Sequence, residues 1–378
     1  MTKLIAFVGD ICLAGRPSAG QVPATAPLAR AIRQTVGEDV CLVGTVEAPI
    51  SSRGVPKPHK ACLRANPNAA KLIEGFDVGL LGNNHIDDFG SEAAVDTCAA
   101  LTGMGCQPVG YGANLSEALA PALVDLGGVK VGILSFCCLT TRADGFATER
   151  LAGVAPLSLQ LLRDSIHAVR EQADMVIVCP HWGVQGASLP TPDDLMLARA
   201  AIESGAAAVI GTHAHVAQAC ETYLGAPIVY GLGNYLFDSV DAAYVDHAGR
   251  PTGVHYRVSQ TEANRTSLLV ALKPVRHATG WKLEFAGRWL ARQDDGLCIT
   301  HKPLPEPMVA DRQLVRRLTF LPFDFSVREE PSYLCSVRDG ILTYNHRLSS
   351  LDRVSWARAF LIRAAGTIRT CVRWLRRC

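Results

Sequence analysis

Five short apolar runs in this chain end in the same kind of residue. Residues 4–8 stop at Gly9-Asp10, residues 40–43 at Gly44-Thr45-Val46-Glu47, and residues 77–81 at Gly82-Asn83-Asn84-His85. Residues 175–178 stop at Cys179-Pro180-His181, and residues 206–210 at Gly211-Thr212-His213-Ala214-His215. Apolar runs of this length, bounded by turn residues, read as buried strands. Helical spacing over residues 24–37, 91–104, 157–172 and 192–204 separates most of them. Alternating strands and helices make an α/β fold. Open α/β sheets place ligand chemistry at the carboxyl ends of their strands.

Each strand end has two readings when taken alone. Asp10 is a turn or helix-cap aspartate, or a ligand. Glu47 sits in an apolar segment, so it is either paired or a ligand, because burying it alone costs several kcal/mol. Asn83-Asn84-His85 is an Asn-rich turn with a capping histidine, or a carboxamide ligand with an imidazole beside it. In the second case His85 moves protons and Asp88 holds its tautomer. His213 and His215 lie two apart, and an extended backbone there aims both rings similarly, toward one ion or two adjacent ones. Jointly, two carboxylates, one carboxamide and up to four imidazoles suit one or two divalent ions of the Mn, Zn or Fe type. Gly231-Leu232-Gly233-Asn234 lets the backbone pass close to such a site. Asn83, Trp182 and Asn234 are the candidates for contact with substrate.

The 378 residues are 48% apolar and 19% charged, the composition of a soluble globular protein. A net charge of +2 gives no case for nucleic acid. Thirteen cysteines without a Cys-x-x-Cys pair fit reduced, buried thiols in a cytoplasmic protein. The apolar run at residues 4–8 is too short for a signal-peptide core or a membrane span. Two segments read as hairpins, residues 122–136 around Gly127-Gly128 and residues 219–230 around Gly225. Residues 51–60, with Arg53, Lys57, His59 and Lys60, form a basic loop, either solvated or meeting an anionic substrate. Residues 139–156 read as a loop suited to a lid, and residues 239–266 as a polar loop. Residues 267–273 and 281–290 alternate as antiparallel strands.

Taken in order, six stretches resemble the CapA-type capsule and poly-gamma-glutamate biosynthesis proteins. They are Phe7-Val8-Gly9-Asp10-Ile11, Gly44-Thr45-Val46-Glu47-Ala48-Pro49-Ile50, Asn83-Asn84-His85 through Asp88-Phe89-Gly90, His181-Trp182-Gly183, Gly211-Thr212-His213-Ala214-His215 and Leu232-Gly233-Asn234-Tyr235-Leu236-Phe237-Asp238. The resemblance implies a four-layer α/β/β/α sandwich of the metallophosphoesterase type over residues 1–298. It implies that Asp10, Glu47 and His215 hold one metal and that Glu47, Asn84, His181 and His213 hold the other. Glu47 would bridge them, His85 would protonate the leaving group, and Asn234 would line the site. It also implies a hydrolase working on an anionic polymer or a phosphoester, with a polymer synthase as partner. The rivals are a generic phosphodiesterase or nucleotidase, and a non-catalytic member that binds polymer or synthase. One departure bears on metal number: where the wider superfamily has Asp-x-His, this chain has Cys12.

Residues 299–350 are expected as an appendage with a helix near 309–318. Residues 351–378 hold seven arginines and one acid, Asp352. At about 100° per residue, Arg358, Arg369, Arg373, Arg376 and Arg377 share one side of a helix. Trp356, Phe360, Leu361, Val372, Trp374 and Leu375 share the other. Such a helix either docks on the domain or lies on an anionic membrane surface, here the inner membrane face.

Overall fold

The computed structural model describes residues 2–21, 27–142, 144–252 and 256–304. In chain order its main strands are β1 (Leu4–Cys12), β2 (Val40–Val46), β3 (Val78–Leu80), β4 (Gln107–Val109), β5 (Ala122–Asp125), β6 (Lys130–Cys138), β7 (Pro156–Leu157) and β8 (Met175–His181). They continue with β9 (Ala208–Ile210), β10 (Cys220–Tyr223), β11 (Ala226–Val229), β12 (Asn234–Phe237), β13 (Thr266–His277), β14 (Gly280–Gln293) and β15 (Ile299–Pro303). The larger helices are α1 (Leu28–Val36), α2 (Ser91–Gly103), α3 (Leu159–Arg170) and α4 (Pro192–Glu203).

The strands form two main sheets. The first runs β15-β14-β13-β1-β2-β3-β4, with β12 also paired to β1. The second runs β10-β11-β9-β8-β6-β5, with β7 paired to β6. Side chains alternate across a strand, and that alternation sorts the core. Ile5 and Phe7 of β1 and Cys41 and Val43 of β2 cluster with Val131 and Ile133 of β6 and Met175 and Ile177 of β8. This cluster joins the two sheets. The intervening residues Ala6, Val8 and Leu42 pack with Leu28 and Ile32 of α1 and Leu101 of α2. On the second sheet, Phe136, Val176 and Val178 pack with Ile166 of α3 and Leu195 and Ala198 of α4. Helices therefore cover the face of each sheet that does not meet the other.

Helix starts follow their capping chemistry. At α4, Thr191 and Asp194 form a reciprocal capping box with Pro192 in the first turn. At α2, Ser91 is the first helical residue, and Gly90 at φ 87° takes the capping position without a side-chain bond.

Three boundaries differ from expectation. The first sheet runs on through β15 to Pro303, past the expected limit at 298, because residues 299–303 pair antiparallel with β14. Residues 239–266 are not all loop, since Val240–Ala242 pairs with Tyr256–Val258. Residues 234–237, of which Asn234 was expected to line the site, form a strand parallel to the end of β1. The expected helix near 309–318 and the basic helix over 351–378 lie outside the described residues. Among the described residues no helix is long and apolar enough to cross a membrane.

Candidate metal centre

The site forms where the two sheets end side by side. On its free edge β1 pairs first with β13, at residues 5–7, then with β12 from Asp10 onward. Gly9 permits the handover, because a Cβ there would lie 1.8 Å from the Gly233 carbonyl oxygen. Asp10 then donates its backbone N–H to that oxygen at 2.9 Å. Glu47 follows β2 directly and donates its N–H to Ile11 O. From the second sheet, His181 is the last residue of β8. Its Nδ1 lies 3.0 Å from Thr212 Oγ1, which orients the ring.

The backbone after β9 is not extended. His213 and His215 both lie in the left-handed region, at φ 89° and 58°. Non-glycine residues there cost about 1–3 kcal/mol each and persist only when their surroundings hold them. Asp10 Oδ2 accepts the His213 N–H, and Asn264 donates to the His215 carbonyl. The sharp turns still bring both rings to one place, by a route different from the expected strand geometry.

Two donor groups result. One ligand atom each from Glu47, His181 and His213 lie within 4.8 Å of one another, and so do atoms from Asp10, Glu47 and His215. His181 Nε2 is 2.8 Å from Asn84 Oδ1, 3.0 Å from His213 Nδ1 and 3.7 Å from Glu47 Oε1. His215 Nδ1 is 3.4 Å from Asp10 Oδ2 and its Nε2 is 3.4 Å from Glu47 Oε1. Asp10 and Glu47 are 0% exposed. Both Glu47 oxygens and Asp10 Oδ1 lack a hydrogen bond.

This arrangement fits divalent metal. Enclosed carboxylate oxygens without hydrogen bonds cost several kcal/mol unless a cation meets them. The donors are nitrogen and oxygen, the set that suits Mn, Zn or Fe. The electrostatics of two of the rings point the same way. Burial, then His215, pushes His213 well below the usual imidazole range, and burial with both other imidazoles does the same to His181. These rings are neutral and can offer lone pairs. Burial and the nearby Asp10 push Glu47 well up. Burial opposes charge on His215 too, but Glu47 and Asp10 outweigh it and hold the ring up at about 9. Cys12 does not join either group. It packs with Ala14, Ala48, Leu63, Phe237 and Val240, and burial pushes its thiol far up.

His85 stands beside these groups. Its Nδ1 is 2.7 Å from Asp88 Oδ2. Lys60 Nζ lies 2.5 Å from the other Asp88 oxygen and also donates to the Asn84 carbonyl. Burial alone would raise Asp88, yet His85 and Lys60 hold it below the usual carboxylate range. Burial lowers His85 against the pull of Asp88.

The substrate-contact candidates divide. Asn234 Oδ1 lies 2.8 Å from His215 Nδ1, so this residue is at the site. Asn83 instead braces the loop, donating to Val46 O and accepting the His85 N–H. Trp182 is a core residue, 2% exposed, with Nε1 donating to Tyr230 O. The expectation that Trp182 and Asn83 face substrate gives way to packing and bracing roles, because their polar groups are already used.

Arg142 is a site-bracing residue that was not expected. Arg142, from the 139–156 segment, donates to both Asp87 oxygens at 2.8 Å and to Asn83 O at 3.2 Å. Burial favours a neutral Asp87, but Arg142 and then Lys57 outweigh it and hold the carboxyl below its usual range. Arg142→Met leaves that carboxylate buried and short of its main partner. We expect a loss of about 3–5 kcal/mol in urea unfolding. The pH dependence follows from the depressed value. The Asp87 contribution is complete above the unfolded carboxylate value of about 3.9 and is lost as pH falls through the lower folded value. Asp87→Asn should therefore flatten the acid limb of a stability–pH curve, and an unchanged limb would refute the assignment.

Comparison with known proteins adds the family. The chain is 31% identical over 202 residues to capsule biosynthesis protein CapA of Bacillus anthracis, covering 50% of this chain and 49% of that one. It is 31% identical over 180 residues to the PGA biosynthesis protein CapA of Bacillus subtilis, covering 47% of each. It thus spans about half the length of these curated relatives. Among solved structures, a calcineurin-like phosphoesterase of Bacillus subtilis aligns over 92% of this chain and 100% of its own, with TM-score 0.40 and 14% identity. The family model described as bacterial capsule synthesis protein PGA_cap matches residues 4–239, which contain every residue of both donor groups, and the chain belongs to that family.

Proposed function

We propose that this protein is a metal-dependent hydrolase acting in the synthesis or remodelling of poly-gamma-glutamate or a related anionic envelope polymer. The observation that carries the reading is the pair of enclosed carboxylates, Asp10 and Glu47, with unbonded oxygens among His181, His213 and His215. Asp10, Glu47 and His215 would hold one ion. Glu47, Asn84, His181 and His213 would hold the other, with Glu47 shared. Bound there, one or two divalent ions would supply Lewis acidity and lower the pKa of a water at neutral pH.

The chain's own residues do the rest. His85 has Nδ1 engaged by Asp88, which leaves Nε2 to take up a proton and pass it to the leaving group. Asp88 fixes the tautomer, and Lys60 fixes Asp88. Asn234 and Thr212 orient His215 and His181. The family match favours a polymer substrate over a generic nucleotide and supports a polymer synthase as partner. The test measures metal content of purified protein beside its cleavage of poly-gamma-glutamate. Stoichiometric metal with metal-dependent shortening supports the reading, and metal-free protein without cleavage sinks it.

The arginine-rich segment 351–378 supports attachment to an anionic membrane surface. Full-length protein should co-sediment with phosphatidylglycerol-containing vesicles at low salt, and less so as salt screens the attraction. Deleting residues 351–378 should abolish co-sedimentation and leave the circular dichroism of the remainder folded. Vesicle binding that survives the deletion would show that another surface is responsible.

A further inference from the structure

The donor group of Asp10, Glu47 and His215 contains three side chains, and Cys12 adds none to it. His215 is its one nitrogen ligand, and its backbone lies in the left-handed region at φ 58°. Ring and backbone are both reached from one place, the turn at residues 260–264 that leads into β13.

The ring is held through Asn234. Asn234 Oδ1 lies 2.8 Å from His215 Nδ1, and Asp10 Oδ2 lies 3.4 Å from the same nitrogen. Two acceptors there put the proton on Nδ1 and leave Nε2, 3.4 Å from Glu47 Oε1, to face an ion. Asn234 accepts from the ring only while its amide nitrogen points away. That nitrogen donates to Gln260 Oε1 at 2.8 Å. Turned the other way, the carboxamide would aim an N–H at Nδ1 and drive the ring proton onto Nε2. Gln260 thus acts on His215 through Asn234. Its own backbone N–H is anchored on Ser239 Oγ at 3.0 Å.

Asn264 acts on the backbone. Its Nδ2 donates to the His215 carbonyl at 2.9 Å. Its Oδ1 accepts the N–H and the hydroxyl of Thr261, at 3.1 and 2.6 Å. With the oxygen engaged twice, the amide cannot turn, and a donor stays aimed at the carbonyl. A left-handed non-glycine residue persists only where its surroundings hold it. The turn is pinned from outside as well, by Glu262 to Arg292 and by Arg265 to Asp295.

We propose that Gln260 and Asn264 are positioning residues for the ion of the Asp10 group, one fixing the tautomer of His215 and the other its backbone. The assignment rests on the metal reading above and names the segment that tunes one donor group and not its neighbour. The two positions have opposite requirements, since residue 260 must accept a hydrogen bond and residue 264 must donate one.

The experiment titrates full-length protein with Mn²⁺ and counts bound ions by electron paramagnetic resonance. His213→Ala marks which ion is which, because it removes a ligand of the neighbouring group only. Gln260→Leu should weaken the ion that His213→Ala spares by about tenfold, the low end for an outer partner of a ligand, and leave the other at wild-type affinity. Asn264→Asp should weaken the same ion by about as much, because an ionised carboxylate has no N–H to give the His215 carbonyl. Gln260→Glu should bind that ion at least as tightly as wild type, because it keeps the acceptor. Circular dichroism checks the fold of every variant. A turn that only supports the fold would not give the two acid replacements opposite effects. Equal weakening by Gln260→Glu and Gln260→Leu overturns the proposal, and so does a loss spread evenly over both ions. A wild type that binds no ion ends the metal reading and this proposal with it. Wild-type affinity in both Gln260→Leu and Asn264→Asp ends this proposal alone.

Discussion

Alanine at His181 or His213 should strip the ion shared by Glu47, Asn84, His181 and His213 and abolish hydrolysis, with the fold intact. Both rings are buried and lean on each other through Nε2 and Nδ1, 3.0 Å apart. Removing either leaves the same group one nitrogen short, and the remaining donors lose the geometry that a divalent ion needs. Second-sphere changes alone cost about 10–100-fold in metal affinity, so loss of a ligand should cost more. The neighbouring group of Asp10, Glu47 and His215 keeps its three residues. Metal per chain, read by elemental analysis beside circular dichroism, checks this. Full metal content in both variants would remove the two histidines from the ligand set.

His85→Asn should do the opposite to metal and the same to turnover. His85 engages Asp88 and contributes to neither donor group. Losing a positioned general acid costs about 10²–10⁴-fold. That loss should be largest on substrates with a poor leaving group, which need the proton, and small on substrates with a good one. Metal content should match wild type. A variant that turns over a poor leaving group at close to the normal rate would show that the proton comes from elsewhere.

The strand ends were legible in the sequence because two signals coincide there. An apolar run announces a buried strand, and a ligand-type residue just past it is costly to bury without use. Asp10, Glu47, Asn84, His181, His213 and His215 all meet in the fold for that reason. What the pattern could not distinguish was which neighbours face the site. Trp182 and Asn83 adjoin donors in sequence, but hydrogen bonds to Tyr230 and Val46 turn them inward. Arg142 was hidden in a loop without periodicity, and its role depends on Asp87, 55 residues away. Lys60 read as one charge in a basic loop, and its contacts with Asp88 and the Asn84 carbonyl separate it from Lys57 and Arg53. Residues 234–237 become a strand because β1 leaves half an edge open beyond Asp10, a vacancy set by the register of β13 and not by local sequence.

That split edge has a consequence for biosynthesis. Ile5 and Phe7 of β1 await Leu272 and Val270 of β13 as antiparallel partners. At ribosomal speed the interval between the two is on the order of tens of seconds. Meanwhile β1 can pair with β2, but its other edge stays open, apolar and suited to adding a strand from a neighbouring nascent chain. Metal cannot shorten this period. Glu47 and His213 come from opposite sheets, so an ion held by both would find its ligands only after the sheets dock, and would then stabilise the finished fold by mass action. The chain should therefore be most at risk of aggregation before residue 277 has emerged, and metal added to the medium would protect only molecules that have already folded.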